Sequence, residues 1–233
     1  MPAPLTVAAA QPPCHDLDVA ANAAAHADAV TRTRARLVVF PELSLTGYNL
    51  TAPPLDPADP RLDPLVRACQ ATGSTALAGA PVRDADGRES IALLAVTGQG
   101  TRVAYRKMWL YGPEHDRFTP GPAPHVLVLD GWRLGLAVCF DASNPQHAHD
   151  TAALGTHAYV VSALYRAEEA ARRDQLMRTT AARHRLWTIL AAAAGPSGSY
   201  PHTSGGSGIW TPDGSPAAQA GPRPGETALT VLH

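Results

Sequence analysis

The chain has 233 residues, 19 basic and 20 acidic side chains and a formal net charge of -1; 45% of it is hydrophobic and 17% charged. It is long enough to bury a sizeable core, too apolar for disorder, and too evenly charged for an electrostatic nucleic-acid surface. Its apolar runs, such as 37–40 and 188–194, fall far short of the roughly 18 residues of a membrane span, and its three cysteines form no CxxC pair.

In chain order, Leu5–Ala10 reads as a first strand, ended by Gln11-Pro12-Pro13. Asp16 or Asp18 can cap a helix running to about Arg34. Residues 37–40 form an apolar, β-branched strand stopped by Pro41. Residues 49–64, rich in Pro and Asp, read as a surface loop. A helix over about 62–71 precedes a strand at 74–80. Asp84-Ala85-Asp86-Gly87 is a hairpin turn. Strands at 91–97 and 101–106 follow, joined by Gly98-Gln99-Gly100. Two more are predicted at 125–129 and 133–138.

The second half repeats this rhythm. A helix over 146–154 leads to a strand at 158–162. A long helix over 167–186 leads to a strand at 187–193. Strands at 207–211 and Thr227–Leu232 close the chain, with Pro212-Asp213-Gly214 as a turn. Helices alternating with strand pairs predict α/β layers with helices covering apolar sheets. No linker divides the chain, so 1–233 is read as one domain.

Eighteen of the basic residues are arginine and one is lysine, Lys107. Lys107 follows a predicted strand, as do Glu42 and Cys139. In α/β sheets, ligand sites lie beyond the carboxyl ends of strands. If these strands are neighbours, the three side chains share a pocket. A carboxylate can take the proton of a thiol, and an ammonium can stabilise the oxyanion formed when the thiolate attacks a carbonyl. Lys, a compact point charge, suits that position better than the planar Arg fork. Taken singly, each residue has a plainer reading: a small buried hydrophobe, a loop charge, a compositional accident.

The words around the three residues form a pattern. Val39-Phe40-Pro41-Glu42-Leu43-Ser44-Leu45-Thr46-Gly47-Tyr48, Tyr105-Arg106-Lys107-Met108-Trp109-Leu110 and Gly135-Leu136-Ala137-Val138-Cys139-Phe140-Asp141 resemble, in order, the three motifs of the nitrilase, or carbon–nitrogen hydrolase, superfamily. Weaker agreement extends over nearly the whole chain. The resemblance implies a four-layer αββα sandwich without metal or organic cofactor. It implies Glu42 as general base, Cys139 as nucleophile, and Lys107 with the Phe140 N–H as oxyanion donors. Glu114 matches a second glutamate that positions substrate and Lys107. Trp109, Tyr111 and Tyr165 are expected as pocket walls.

The expected activity is hydrolysis of a small carboxamide through a thioester on Cys139. An N-carbamoyl hydrolase and a non-catalytic binding or regulatory protein of the same fold are the alternatives. After Cys139 the run Asp141-Ala142-Ser143-Asn144-Pro145-Gln146 lacks the Arg that carbamoyl-amino-acid hydrolases place there for a substrate carboxylate; Arg166 is a possible substitute. Phe140 and Asp141 stand where true nitrilases carry Trp and Glu, which favours amides over nitriles.

A cytoplasmic homodimer or larger homo-oligomer is expected, with no nucleic-acid or membrane partner. Family members often carry a C-terminal tail over a dimer partner, and this chain is short there. The pair His147 and His149 reads as a solvated helix start, and Glu168-Glu169 with Arg172-Arg173 as an exposed helix face.

Overall fold

A computed structural model describes residues 2–233. The first half runs β1 (Leu5–Ala10), α1 (Val19–Thr33), β2 (Leu37–Val39), α2 (Asp63–Thr72), β3 (Thr75–Arg83), β4 (Glu89–Thr97) and β5 (Gly100–Arg106). The second runs β6 (Val126–Leu129), β7 (Trp132–Val138), α3 (Phe140–Ser143), α4 (Pro145–Ala153), β8 (Ala158–Ala163), α5 (Ala170–His184), β9 (Trp187–Ala192), β10 (Gly208–Trp210), β11 (Pro216–Gln219) and β12 (Thr227–Leu232).

Two six-stranded sheets result, ordered β12-β1-β2-β3-β4-β5 and β11-β10-β9-β8-β7-β6. Each has a parallel centre, β1-β2-β3 and β7-β8-β9, with antiparallel flanks. Helices follow the parallel strands because a parallel connection needs a crossover. β12 returns from the far end of the sequence to pair antiparallel with β1, Leu5 opposite Leu232.

Side-chain alternation makes the layers. Leu5, Val7 and Ala9 of β1 join Leu134, Leu136 and Val138 of β7 in the apolar layer between the sheets. Ala8 and Ala10 face the other way, against Ala23, Ala27 and Val30 of α1. Tyr159 and Val161 of β8 likewise meet Met177 and Ala181 of α5. The predicted αββα sandwich is therefore the observed one, and the central strands are mostly apolar because both faces are covered. Among the described residues no helix is long and apolar enough to cross a membrane.

Some predicted elements differ in detail. Asp18, not Asp16, caps α1, its carboxylate accepting from the Ala21 N–H at 3.0 Å. The helix over 167–186 opens as a 3-10 turn, Ala167–Glu169, before α5. β11 was not predicted: Pro216 and polar neighbours give it no alternation, and it pairs only as an edge strand against β10, with a register shift between Ile209 and Trp210.

One buried contact ties α1 to the turn after β2. His26 is fully buried; its Nδ1–H donates to the Asn22 carbonyl, and its Nε2 accepts from the Ser44 hydroxyl at 2.9 Å. Burial lowers its pKa from 6.5 to about 4. The unfolded chain thus binds more protons than the folded one between those values, so stability present above pH 6.5 is lost as pH falls towards 4. Across that window His26 is expected to remove about 3 kcal/mol of stability. Urea unfolding at several pH values checks this: the slope of stability against pH between 4 and 6.5 should flatten in His26→Gln.

Candidate active site

Glu42, Lys107 and Cys139 leave from the ends of β2, β5 and β7. These strands are not neighbours, contrary to the condition that the sequence reading set. β3 and β4 separate β2 from β5, and β7 belongs to the other sheet. The side chains meet because the two sheets face each other and β5 packs against β7.

Each position is shaped by its backbone. The turn carrying Glu42 passes directly over β3, where a Cβ added at Gly79 would lie 2.3 Å from the Leu43 nitrogen and 2.8 Å from the Pro41 oxygen. Only glycine allows that approach. Lys107 is anchored by its own N–H to the Ile91 carbonyl at 2.8 Å and by its carbonyl accepting from the Gly121 N–H at 2.7 Å. Gly121 is again obligatory, since a Cβ there would lie 2.2 Å from the Arg106 oxygen. Cys139 has φ 47° and ψ -98°, a strained backbone for a residue with a Cβ. Its N–H donates to the Ser162 carbonyl at 2.9 Å, and its Sγ lies 3.5 Å from the Leu164 carbonyl.

The charged centre is dry. Lys107, Glu42 and Glu114 have side chains wholly removed from solvent. The Lys107 ammonium donates to Glu42 Oε1 at 2.6 Å and to Glu114 Oε1 at 2.7 Å. Two of its three N–H donors are thereby fixed, and one remains. Glu114 Oε1 also accepts from the Tyr48 hydroxyl, while Oε2 accepts from the Tyr111 N–H at 2.8 Å. The second Glu42 oxygen, Oε2, has no partner among the described residues. Nor has the Phe140 backbone N–H, at the start of α3, an acceptor there.

Burial dominates the protonation states. It pushes the Glu42 carboxyl up to about 7, against the pull of the Lys107 charge and helped by the negative charge of Glu114. Burial alone would lower the Lys107 pKa; the charges of Glu42 and Glu114 in contact with it overcome this and hold the ammonium charged. The Cys139 thiol is pushed well above its ordinary value by burial and then by Glu42. At rest the site therefore holds a neutral thiol, a fixed ammonium, and a carboxyl group poised near neutrality, the range in which a general base works best.

Above Cys139 lies a cavity of about 230 Å³. Tyr111 and Tyr165, two of the expected walls, line it, and so does Phe140, expected only for its backbone N–H. Trp109 does not line the cavity, contrary to expectation: the residue is 39% exposed and its backbone N–H donates to Asp141. Tyr48 and Tyr200 form walls that the sequence reading missed, their rings in edge contact at 5.1 Å. Tyr48 ends the first motif, two residues after Thr46, and was legible; Tyr200 sits in a Gly/Ser/Pro segment without pattern. Arg166, Glu169 and Arg172 reach the rim.

Two surface readings are also corrected. His147 is buried between the Tyr105 and Tyr159 hydroxyls, not solvated. Arg173 turns inward, where Nη1 donates to the Ser204 hydroxyl at 2.8 Å and to the Gly205 carbonyl, while Glu168 stays exposed.

Residues 6–232 match the profile of the carbon-nitrogen hydrolase family. A Pseudomonas protegens protein described as a hydrolase in the pqqF 5' region is 32% identical over 226 residues, covering 93% of this chain and 79% of the relative. An (R)-stereoselective amidase of Pseudomonas sp. is 30% identical over 131 residues, 54% of this chain and 47% of its own. Among solved structures, a glutamate-to-glutamine mutant of the amidase from Nesterenkonia sp. AN1 superposes with a TM-score of 0.87 at 25% identity, covering 98% of this chain and 93% of that one. That structure shows Michael addition of acrylamide at the active site cysteine. A cysteine-to-alanine variant of it, in complex with butyramide, matches with TM-score 0.87 and 26% identity, over 98% and 90% of the chains.

If Glu42 takes the thiol proton, only its carboxylate form can do so, and alkylation of Cys139 by iodoacetamide is expected to slow as pH falls through about 7. Glu114→Gln removes a charge that raises Glu42, which should move this limb to lower pH. Peptide mass spectrometry against time and pH measures both; a Cys139 rate that merely parallels Cys14 would exclude Glu42 as its base.

Proposed function

The chain belongs to the carbon-nitrogen hydrolase family, and we propose that within it this protein is an amidase acting on a small carboxamide through Glu42, Lys107 and Cys139. The observation that carries this reading is the buried ammonium held by two carboxylates, at 2.6 Å and 2.7 Å, beside a thiol at the floor of a small cavity. The cavity volume of about 230 Å³ lies below the roughly 300–1,000 Å³ of drug-sized sites, which suits a short acyl group. The butyramide held by the Nesterenkonia amidase variant is of that size.

The reaction follows from the donors and acceptors present. Glu42 takes the Cys139 proton as Sγ attacks the carbonyl carbon. The carbonyl oxygen becomes an oxyanion, met by the third Lys107 N–H and the free Phe140 N–H. Glu42, now protonated, gives its proton to the amide nitrogen. The carbon–nitrogen bond breaks, ammonia leaves and an acyl thioester remains on Cys139. Water loses a proton to Glu42 and attacks the thioester, and the second oxyanion collapses to the acid. The thiolate recovers the proton from Glu42. Lys107 stays charged throughout and never has to gain or lose a proton.

Wild-type protein is expected to release ammonia from short aliphatic amides and to carry an acyl thioester on Cys139 in intact-mass spectra, with both absent in Cys139→Ala. Release of carbon dioxide together with ammonia from N-carbamoyl compounds would reassign the substrate class. No ammonia from a broad amide panel, with Cys139→Ala indistinguishable from wild type, would overturn the reading.

Lys107→Arg keeps the net charge but puts a wide fork where one ammonium fits between two carboxylates. It is expected to cost kcat roughly 100-fold or more, the order seen for removal of one oxyanion donor. Steady-state rates of ammonia release measure it.

A further inference from the structure

Asp141 is wholly buried, and its carboxylate accepts four hydrogen bonds. Oδ1 takes the N–H groups of Met108 at 3.1 Å and Trp109 at 2.8 Å, the two residues after Lys107. Oδ2 takes the Val138 N–H at 2.9 Å, the residue before Cys139, and the Tyr105 hydroxyl at 2.7 Å, two residues before Lys107. One carboxylate thus bonds the backbone on the near side of the nucleophile and the chain on both sides of the lysine. These segments belong to different sheets, and no backbone ladder joins β5 to β7.

The bond from Val138 N–H to Asp141 closes a tight loop around Cys139 and Phe140. That loop holds Cys139 at φ 47° and leaves the Phe140 N–H without an acceptor. A residue forced into this region needs a surrounding structure that over-determines it, and Asp141 supplies part of it.

The carboxylate is itself held from behind. The Tyr105 hydroxyl donates to Asp141, so its oxygen can accept from His147 Nε2–H at 2.9 Å. That leaves the acceptor lone pair of the neutral imidazole on Nδ1, which accepts from the Tyr159 hydroxyl at 2.8 Å. Burial lowers the His147 pKa, consistent with a neutral ring able to do both. Tyr159 lies on β8 and His147 on α4, so the chain Tyr159, His147, Tyr105, Asp141 fixes the carboxylate from three elements, all of it out of solvent.

We infer that Asp141 is a positioning residue that sets the relative placement of Cys139, Lys107 and the Phe140 N–H, and so the geometry of the oxyanion site. It touches neither the substrate cavity nor a reacting atom. The inference rests on Cys139 and Lys107 acting together as proposed above.

Asp141→Asn keeps the volume but offers one carbonyl oxygen and one NH2 to a shell of donors. The NH2 faces either the 108–109 N–H pair or the Val138 N–H, and that contact is lost. A displacement of the order of 1 Å at such a centre costs roughly 100-fold. The expected result is a fall of that order in kcat with KM changed less than about threefold, and a parallel fall in Cys139 alkylation at pH 7 while Cys14 alkylation is unchanged. Tyr105→Phe removes one of four donors and is expected to cost roughly 2–10-fold in the same two measurements. It also serves where Asp141→Asn does not fold.

Wild-type values of kcat and of Cys139 alkylation in Asp141→Asn, or in Tyr105→Phe if only that folds, would overturn the inference and leave the amidase reading intact. Equal changes at Cys14 and Cys139, in either direction, would also overturn it, as a change in the fold at large. A wild-type protein that turns over no amide would sink the amidase reading, while the alkylation ratio would still decide whether Asp141 orders the Cys139 turn.

Discussion

The constraint on which the site depends is one ammonium held out of water between two carboxylates. Taking a charge from water into a protein interior costs several kcal/mol per ion, and the attraction between partners repays it only with good geometry and further hydrogen bonds. Here Lys107 reaches Glu42 and Glu114 at 2.6 Å and 2.7 Å, and Glu114 is bonded in turn by Tyr48 and the Tyr111 N–H. The imbalance that remains is left on Glu42, whose second oxygen has no partner and whose carboxyl is pushed up to about 7. A cluster built for stability alone would satisfy that oxygen. That open oxygen is what the proposed role of Glu42 as base rests on.

The fold supplies the rigidity that this geometry needs. Two sheets pack through a shared apolar layer, and the residues that carry chemistry project from strand ends on facing sheets. Glycines at 79 and 121 let neighbouring segments approach where any side chain would collide with backbone. The Asp141 carboxylate then joins the two sheets at the point of reaction, doing with a side chain what no strand pairing does.

Much of this was legible in the chain. The order of strands and helices follows from period and punctuation: Leu5–Ala10, the stop at Pro41, the turn at Asp84-Ala85-Asp86-Gly87. The candidate trio was legible because chemistry restricts residue type, and the three motifs bring Glu, Lys and Cys into one order. Less legible were features set by partners distant in sequence. β11 has no pattern of its own and exists because β10 offers it an edge. His147 and Arg173 look like surface residues by composition, yet Tyr159 and the 204–205 carbonyls draw them inward. Trp109 looks like a pocket wall, but the backbone bond to Asp141 turns that segment so that its ring meets solvent.

The sequence by itself determined the α/β class and the alternation that makes two covered sheets, and it nominated Glu42, Lys107 and Cys139 as a candidate trio, because periodicity and functional-group chemistry are local properties of the chain. Only the tertiary structure decided that non-neighbouring strands deliver these residues to one place, that Glu42 keeps a free oxygen, and that Asp141 binds the two sheets together. Those facts depend on which surfaces face each other and how completely water is excluded. Distances across a packed interface and the pKa values they set are not local properties of the sequence.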